Sequence, residues 1–155
     1  MTKEDYVASG KRVLTLQIDN RCFHDILEGK QDVETRWIRP HTAPMYLTYI
    51  ADGKEYKSEA DVPDTAEQVE FNPIEYDAMY LINGRKADAP RLLVEIESEE
   101  IVFFAQEGDQ IVEIAPDDTE SVPAQFEEKG KLYTYAQIWY YLGKVLFSEN
   151  LQNLK

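Results

Sequence analysis

Residues 13–37 read VLTLQIDNRCFHDILEGKQDVETRW, and the order of elements they dictate decides the fold. Val13 to Ile18 alternate loosely and include β-branched side chains, which predicts a strand ending at Asp19. Asp19 is a good helix N-cap, because its carboxylate can accept from the free N–H groups of a first helical turn. Phe23, Ile26 and Leu27 then fall at i, i+3 and i+4, on one face of a short helix, and Gly29 stands where a left-handed C-terminal cap belongs. Beyond the glycine, alternation along a second strand sends Val33, Thr35 and Trp37 to one side and Glu34, Arg36 and Ile38 to the other. Pro40 ends that strand. The unit is strand, short helix, glycine, strand, and its last strand puts an acid and a base on one face.

Outward from this unit the signals are mostly β. TAPMYLTYI, from Thr42 to Ile50, is aromatic and apolar and stays open between strand and helix, since short apolar runs do not separate the two by periodicity. Residues 51 to 75 are rich in Asp, Glu, Pro and Lys, with Asp52-Gly53 as a hairpin-turn signal, and predict a polar excursion from the core. A strand from Tyr76 to Ile82 and a turn at Asn83-Gly84 follow. RLLVEIESEEIVFFA, from Arg91, fits one long bent strand or two strands. Residues 106 to 131 return to the composition of a solvated acidic loop. In YTYAQIWYYLGKVLF, Gly143 and the density of Tyr, Trp and Ile favour a strand over a helix. The expected class is α+β with β dominating: a small β-barrel or curved sheet with one or two short helices at its rim.

With 155 residues, 43% hydrophobic and 12% aromatic, the chain has material for one core, so a single domain over 1–155 is expected, its core about 13–147. The opening MTKEDYVASGKR has no apolar run behind its charges, which predicts neither a secretory signal nor a membrane anchor and points to the cytoplasm. Cys22 stands alone and reads as a small core residue, outside any internal disulfide. The balance of 30 acids against 16 bases, a formal charge of -14, repels a long duplex and cannot support phosphate-driven binding over the whole surface. A small local site is compatible with it. Cys22, His24 and His41 lack the converging spacing of zinc ligands, and no Gly-rich phosphate loop or nucleophile elbow appears, so no metal and no cofactor are expected.

DILEGKQDVETRW resembles the signature of the ASCH domain family of the PUA-like superfamily, which runs Gly-x-Lys-x-x-Glu-x-Arg; Gly29, Glu34 and Arg36 match. YDAMYLINGRKADAPRLLVEI looks like the family's later pair of strands, and AQIWYYLGKVL is similar to its closing strand, so the resemblance runs from about Val13 to Leu146. It implies the PUA-like fold, a cleft beside the first helix, and RNA-linked or nucleoside-linked roles. The sequence departs from the pattern at Gln31, where the motif has lysine. One branch of the family, the acetylcytidine amidohydrolases, uses that lysine together with a threonine at the position of Glu34. Both are absent here, and that activity does not carry over.

Glu34 and Arg36 are therefore the leading ligand-binding candidates, with Arg39, Asn83 and Arg85 as further ones near strand ends. A guanidinium can grip a phosphate or carboxylate at two points, and a carboxylate can accept from an exocyclic amine or ring N–H of a base. The expected partner is a nucleoside, nucleotide or short RNA. Two other readings stand beside it. One is a hydrolase acting on a nucleoside amide or RNA, with Glu34 as general base. The other is an interaction module whose acidic stretches 52–75 and 106–131 engage a basic protein partner. Tyr133, Tyr135, Tyr140 and Tyr141 with Trp139 could stack bases, although alternating aromatics on a strand are more often core.

Overall fold

The computed structural model describes residues 2–155, and its first element is one that the apolar pattern does not announce. Helix α1 (Lys3–Ala8) is set by a capping box: the Thr2 side chain accepts from the Asp5 N–H while the Thr2 N–H donates to the Asp5 carboxylate. There follow β1 (Val13–Gln17), α2 (Asn20–Leu27), β2 (Val33–Trp37), α3 (Ala43–Tyr46), β3 (Leu47–Ala51), β4 (Lys54–Tyr56) and β5 (Val69–Pro73). The second half holds β6 (Ala78–Ile82), β7 (Arg91–Glu107), β8 (Gln110–Glu113), β9 (Gln125–Glu128), β10 (Lys131–Thr134) and β11 (Ala136–Glu149). The fold is α+β with strands dominating and a few short helices. The main sheet pairs in the order β1-β6-β7-β11-β2 with β8 on β7, and no pairing among the described residues closes it into a barrel. No helix among the described residues is long and apolar enough to cross a membrane.

The chain forms two compact units, each drawn from separated stretches. The first takes the stretch ending at Glu34 together with Glu75–Glu99 and Tyr140–Lys155. Here β1 runs parallel to β6, from Val13 opposite Ala78 to Gln17 opposite Ile82, and β6 pairs antiparallel with the start of β7. The β6 residues Ala78, Met79, Tyr80 and Leu81 are all buried, which is why AMYLI shows no alternation: both of its faces are covered. On one face Ala78, Tyr80 and Leu93 form a cluster against which Tyr6 of α1, Val13, Ile82, Leu146 and Phe147 pack. Helix α2 buries Phe23 and Ile26, as its spacing predicts, each contributing about 2 kcal/mol of transfer energy. The Asp19 carboxylate accepts from the Cys22 N–H at 2.8 Å, and Gly29 follows the helix with φ +77°. Gly143 has a different reason to be glycine: a Cβ there would lie 3.1 Å from the Cβ of Glu95 and 2.8 Å from its carboxylate.

The second unit comprises Thr35–Ile74 and Glu100–Trp139. The stretch that stays open in sequence divides, with Ala43–Tyr46 helical and Leu47–Ala51 extended. Strand β3 is the centre of a three-stranded sheet β4-β3-β5, so residues 51 to 75 are more than a polar excursion. The turn from β3 to β4 is Asp52-Gly53, both at positive φ (50° and 84°), and the Asp52 carboxylate accepts from the Glu67 and Gln68 N–H groups, pinning the return of the chain. Residues 106 to 131 are likewise more than an acidic loop. Strand β8 folds back on the end of β7, and β9 pairs with β10 across a turn at Lys129-Gly130. Between Arg91 and Glu107 the chain is one long strand.

Candidate functional site

Strand β2 realises the expected alternation. Glu34 is buried at 7% exposure and Arg36 is half-buried, while Thr35 and Trp37 face outward. Glu34 belongs to the first unit and Arg36 to the second. Glu34 is the one buried charged residue among those described, and the Gln31 side-chain amide reaches it at 3.4 Å while donating to the Val33 carbonyl at 2.9 Å. Gln31, at the motif's lysine position, thus supplies a neutral donor to the carboxylate where lysine would bring a charge. Lys30 turns away, pairing at 2.8 Å with Glu28 on the exposed surface. The thiol of Cys22 is half-buried, and burial first, with its hydrogen bond to Asp19 second, pushes it up to about 11.

Arg39 lies in the second unit, where the chain leaves β2. Its backbone is fixed by a tight turn: the Thr42 and Ala43 N–H groups donate to the Arg39 carbonyl, and the Arg39 N–H donates to Thr42 Oγ1. Its guanidinium carbon is 5.6 Å from the Trp37 ring centroid and 5.5 Å from that of Phe126. Those rings continue into a cluster: Trp37 meets Phe104 at 4.8 Å, Phe126 meets Tyr135 at 4.9 Å, and Phe126 stacks on Tyr133 at 5.7 Å. Each cation–ring contact is worth about 0.5–2 kcal/mol according to its exposure, so the cluster holds a long, flexible side chain in one place.

Beside this cluster the same unit contains a cavity of about 550 Å³, lined by Arg39, Tyr49, Phe71, Phe103, Leu132 and Tyr133 among others. Phe71 is 41% exposed and Leu132 66%, so flat and apolar surface is presented to whatever enters. Phe71 and Phe103 meet edge to face with centroids 6.3 Å apart. Burial, and behind it the negative field of Glu59, raises the Tyr49 phenol, so it stays a neutral hydrogen-bonding group. The arrangement offers ring faces for stacking, one aromatic-braced guanidinium and phenolic hydroxyls, the set that recognises a planar heterocycle carrying polar edges.

Asn83 and Arg85 are brought together elsewhere, in the first unit, on the loop after β6. They line a second cavity of about 610 Å³ with Asn20 and Lys86. The five residues expected at one cleft therefore stand at three places: Glu34 and Arg36 along β2, Arg39 at the aromatic cavity, Asn83 and Arg85 at the loop. Tyr140 is fully buried, as the core reading of the final strand expects, whereas Tyr133 lines the aromatic cavity.

The residues the sequence did not single out are Tyr49, Phe71, Phe103 and Phe126. Phe71 sits on β5 in a stretch dominated by Asp and Glu, and Phe126 becomes significant only because the β9–β10 pairing sets it opposite Tyr133. For Phe71 and Phe126, an aromatic embedded in an acidic segment is the one signal that could have marked them; Tyr49 and Phe103 lie in apolar runs that read as core. Among the described residues no group of three or more His, Cys, Asp or Glu side chains converges as a metal would need. No family model, no curated protein and no solved structure matches the chain.

Proposed function

We propose that the chain is a small cytoplasmic binding domain of the ASCH type that takes a nucleotide, modified nucleoside or short single-stranded RNA, with the base seated in the aromatic cavity of the second unit. The observation that carries this reading is Arg39, braced within 5.6 Å of Trp37 and 5.5 Å of Phe126 at a cavity walled by Tyr49, Phe71, Phe103 and Tyr133. A base stacking on such a wall gains about 1–3 kcal/mol, and every base has a face to offer. Arg39 supplies donors in a fixed fork, suited to a base carbonyl or an attached phosphate. Specificity among bases comes from the phenolic and guanidinium donors at the edges, since stacking alone discriminates little.

In this reading the charge-assisted contact expected of Arg36 comes from Arg39, and buried Glu34 serves the strand rather than the ligand's edge. The test is calorimetric titration of nucleosides, nucleotides and short single-stranded RNAs into the protein and two variants. Arg39→Ala is expected to weaken binding at least tenfold with circular dichroism unchanged, and Arg36→Ala to leave it within about twofold. Loss in Arg36→Ala alone would return the site to β2, and silence of every nucleoside would reject nucleobase recognition.

A further inference from the structure

The second cavity has a chemistry of its own. Three cations line it, Arg85, Lys86 and Lys155, against the carboxylate of Asp88 and the carboxylate that Lys155 carries as the last residue, in a chain whose formal charge is -14. None of these three is in an ion pair with a described residue. Cations without an ion-pair partner among the described residues, gathered at a concavity of so acidic a protein, are held against a background that would readily neutralise them, and their local field favours an anion there.

The wall that carries them is fixed. Arg91 Nη2 donates to the Ala87 carbonyl at 3.3 Å, Asn150 Nδ2 to the Ala89 carbonyl at 3.1 Å, and Asn153 Nδ2 to the Asp88 carbonyl at 2.9 Å. At the loop's other end Asn83 Nδ2 donates to Asn20 Oδ1 at 2.9 Å, tying it to the first residue of α2. Four side-chain hydrogen bonds thus hold the loop of residues 83–90, between β6 and β7, whose two cations make no ion pair with a described residue, so little order has to be bought when a ligand arrives. The volume of about 610 Å³ exceeds what one tetrahedral oxyanion fills and suits two linked ones.

We infer that this cavity is a second ligand site, for the terminal phosphates of a small phosphorylated molecule, gripped by Arg85 and Lys86 with the Asn20 and Asn83 amides beside them. It goes beyond the nucleobase reading and does not depend on it, because its ligand group carries no base and its residues lie in the other unit.

The experiment is titration calorimetry with inorganic pyrophosphate at low ionic strength. Pyrophosphate is expected to bind, the affinity to fall as sodium chloride is added, and Arg85→Gln with Lys86→Gln to weaken it at least tenfold. Both side chains are exposed, so the double variant is expected to melt as the native chain does. Arg39→Ala is expected to bind pyrophosphate normally, which separates this outcome from the nucleoside test. The assignment is overturned if pyrophosphate does not bind, if the double variant binds it equally well, or if Lys54→Gln with Lys57→Gln weakens it as much. Equal binding of sulfate would reduce the cavity to a general anion trap. Tighter binding of a dinucleoside monophosphate would replace the terminal phosphate by a nucleic-acid backbone.

Discussion

At the scale of single residues, Asp19 shows how one side chain carries a local fold and a pH dependence together. Its carboxylate accepts the Cys22 N–H at 2.8 Å at the start of α2, and that backbone hydrogen bond above all holds its pKa below the usual carboxylate range. A carboxyl depressed in the folded chain adds stability above its unfolded pKa and loses it as pH falls through the folded value. Replacing Asp19 with Ala is expected to cost about 1 kcal/mol at neutral pH in urea unfolding, the usual loss of an N-cap. Asp19→Asn keeps an acceptor and removes the titration. Its stability relative to the native chain should therefore rise on acidification, the native advantage closing as the carboxylate protonates. A constant difference across that range would show that the charge of Asp19 plays no part.

At the scale of elements, the legible parts were those with strong local chemistry. Asp19, the Phe23-Ile26-Leu27 spacing and Gly29 fix α2 without help from the rest of the chain, and the alternation through Trp37 fixes β2. What stayed hidden depends on distant pairing. Glu34 and Arg36 promise one site from strand geometry, but which cavities exist is decided by loops, and the rings at Arg39 assemble only when β9 meets β10. That hairpin escaped notice because its turn is Lys129-Gly130: Lys129 takes φ +53° without being Asn or Asp, so the usual signal is missing. The same fact makes the turn improvable. Lys129→Asn places a residue tolerant of the left-handed region at that position and is expected to stabilise the chain by about 0.5–1 kcal/mol in urea melts. Destabilisation by this change would mean that the Lys129 side chain, rather than the turn's backbone, holds the hairpin.

At the scale of the whole molecule, charge is the dominant property. A formal charge of -14 makes the chain repel itself, and compaction costs more the closer its carboxylates are drawn. Local attraction returns little of this at the surface: Arg21–Asp25 at 4.0 Å joins an exposed arginine to a half-buried aspartate, and Lys30–Glu28 at 2.8 Å joins two exposed side chains. Raising sodium chloride from about 10 mM to about 150 mM shortens the Debye length from about 30 Å to about 8 Å, which screens the long-range repulsion while leaving the apolar cores intact. The melting temperature is therefore expected to rise by a few degrees over that range, measured by circular dichroism at neutral pH. The rise should shrink at mildly acidic pH, where part of the carboxylate charge is already neutralised. A melting temperature that falls with salt would mean that attractive pairs outweigh the net repulsion. Where the melting temperature rises as expected, salt stabilises the fold while weakening any phosphate held at Arg85 and Lys86, so the two responses have opposite signs and one titration series separates a change in folding from a change in binding.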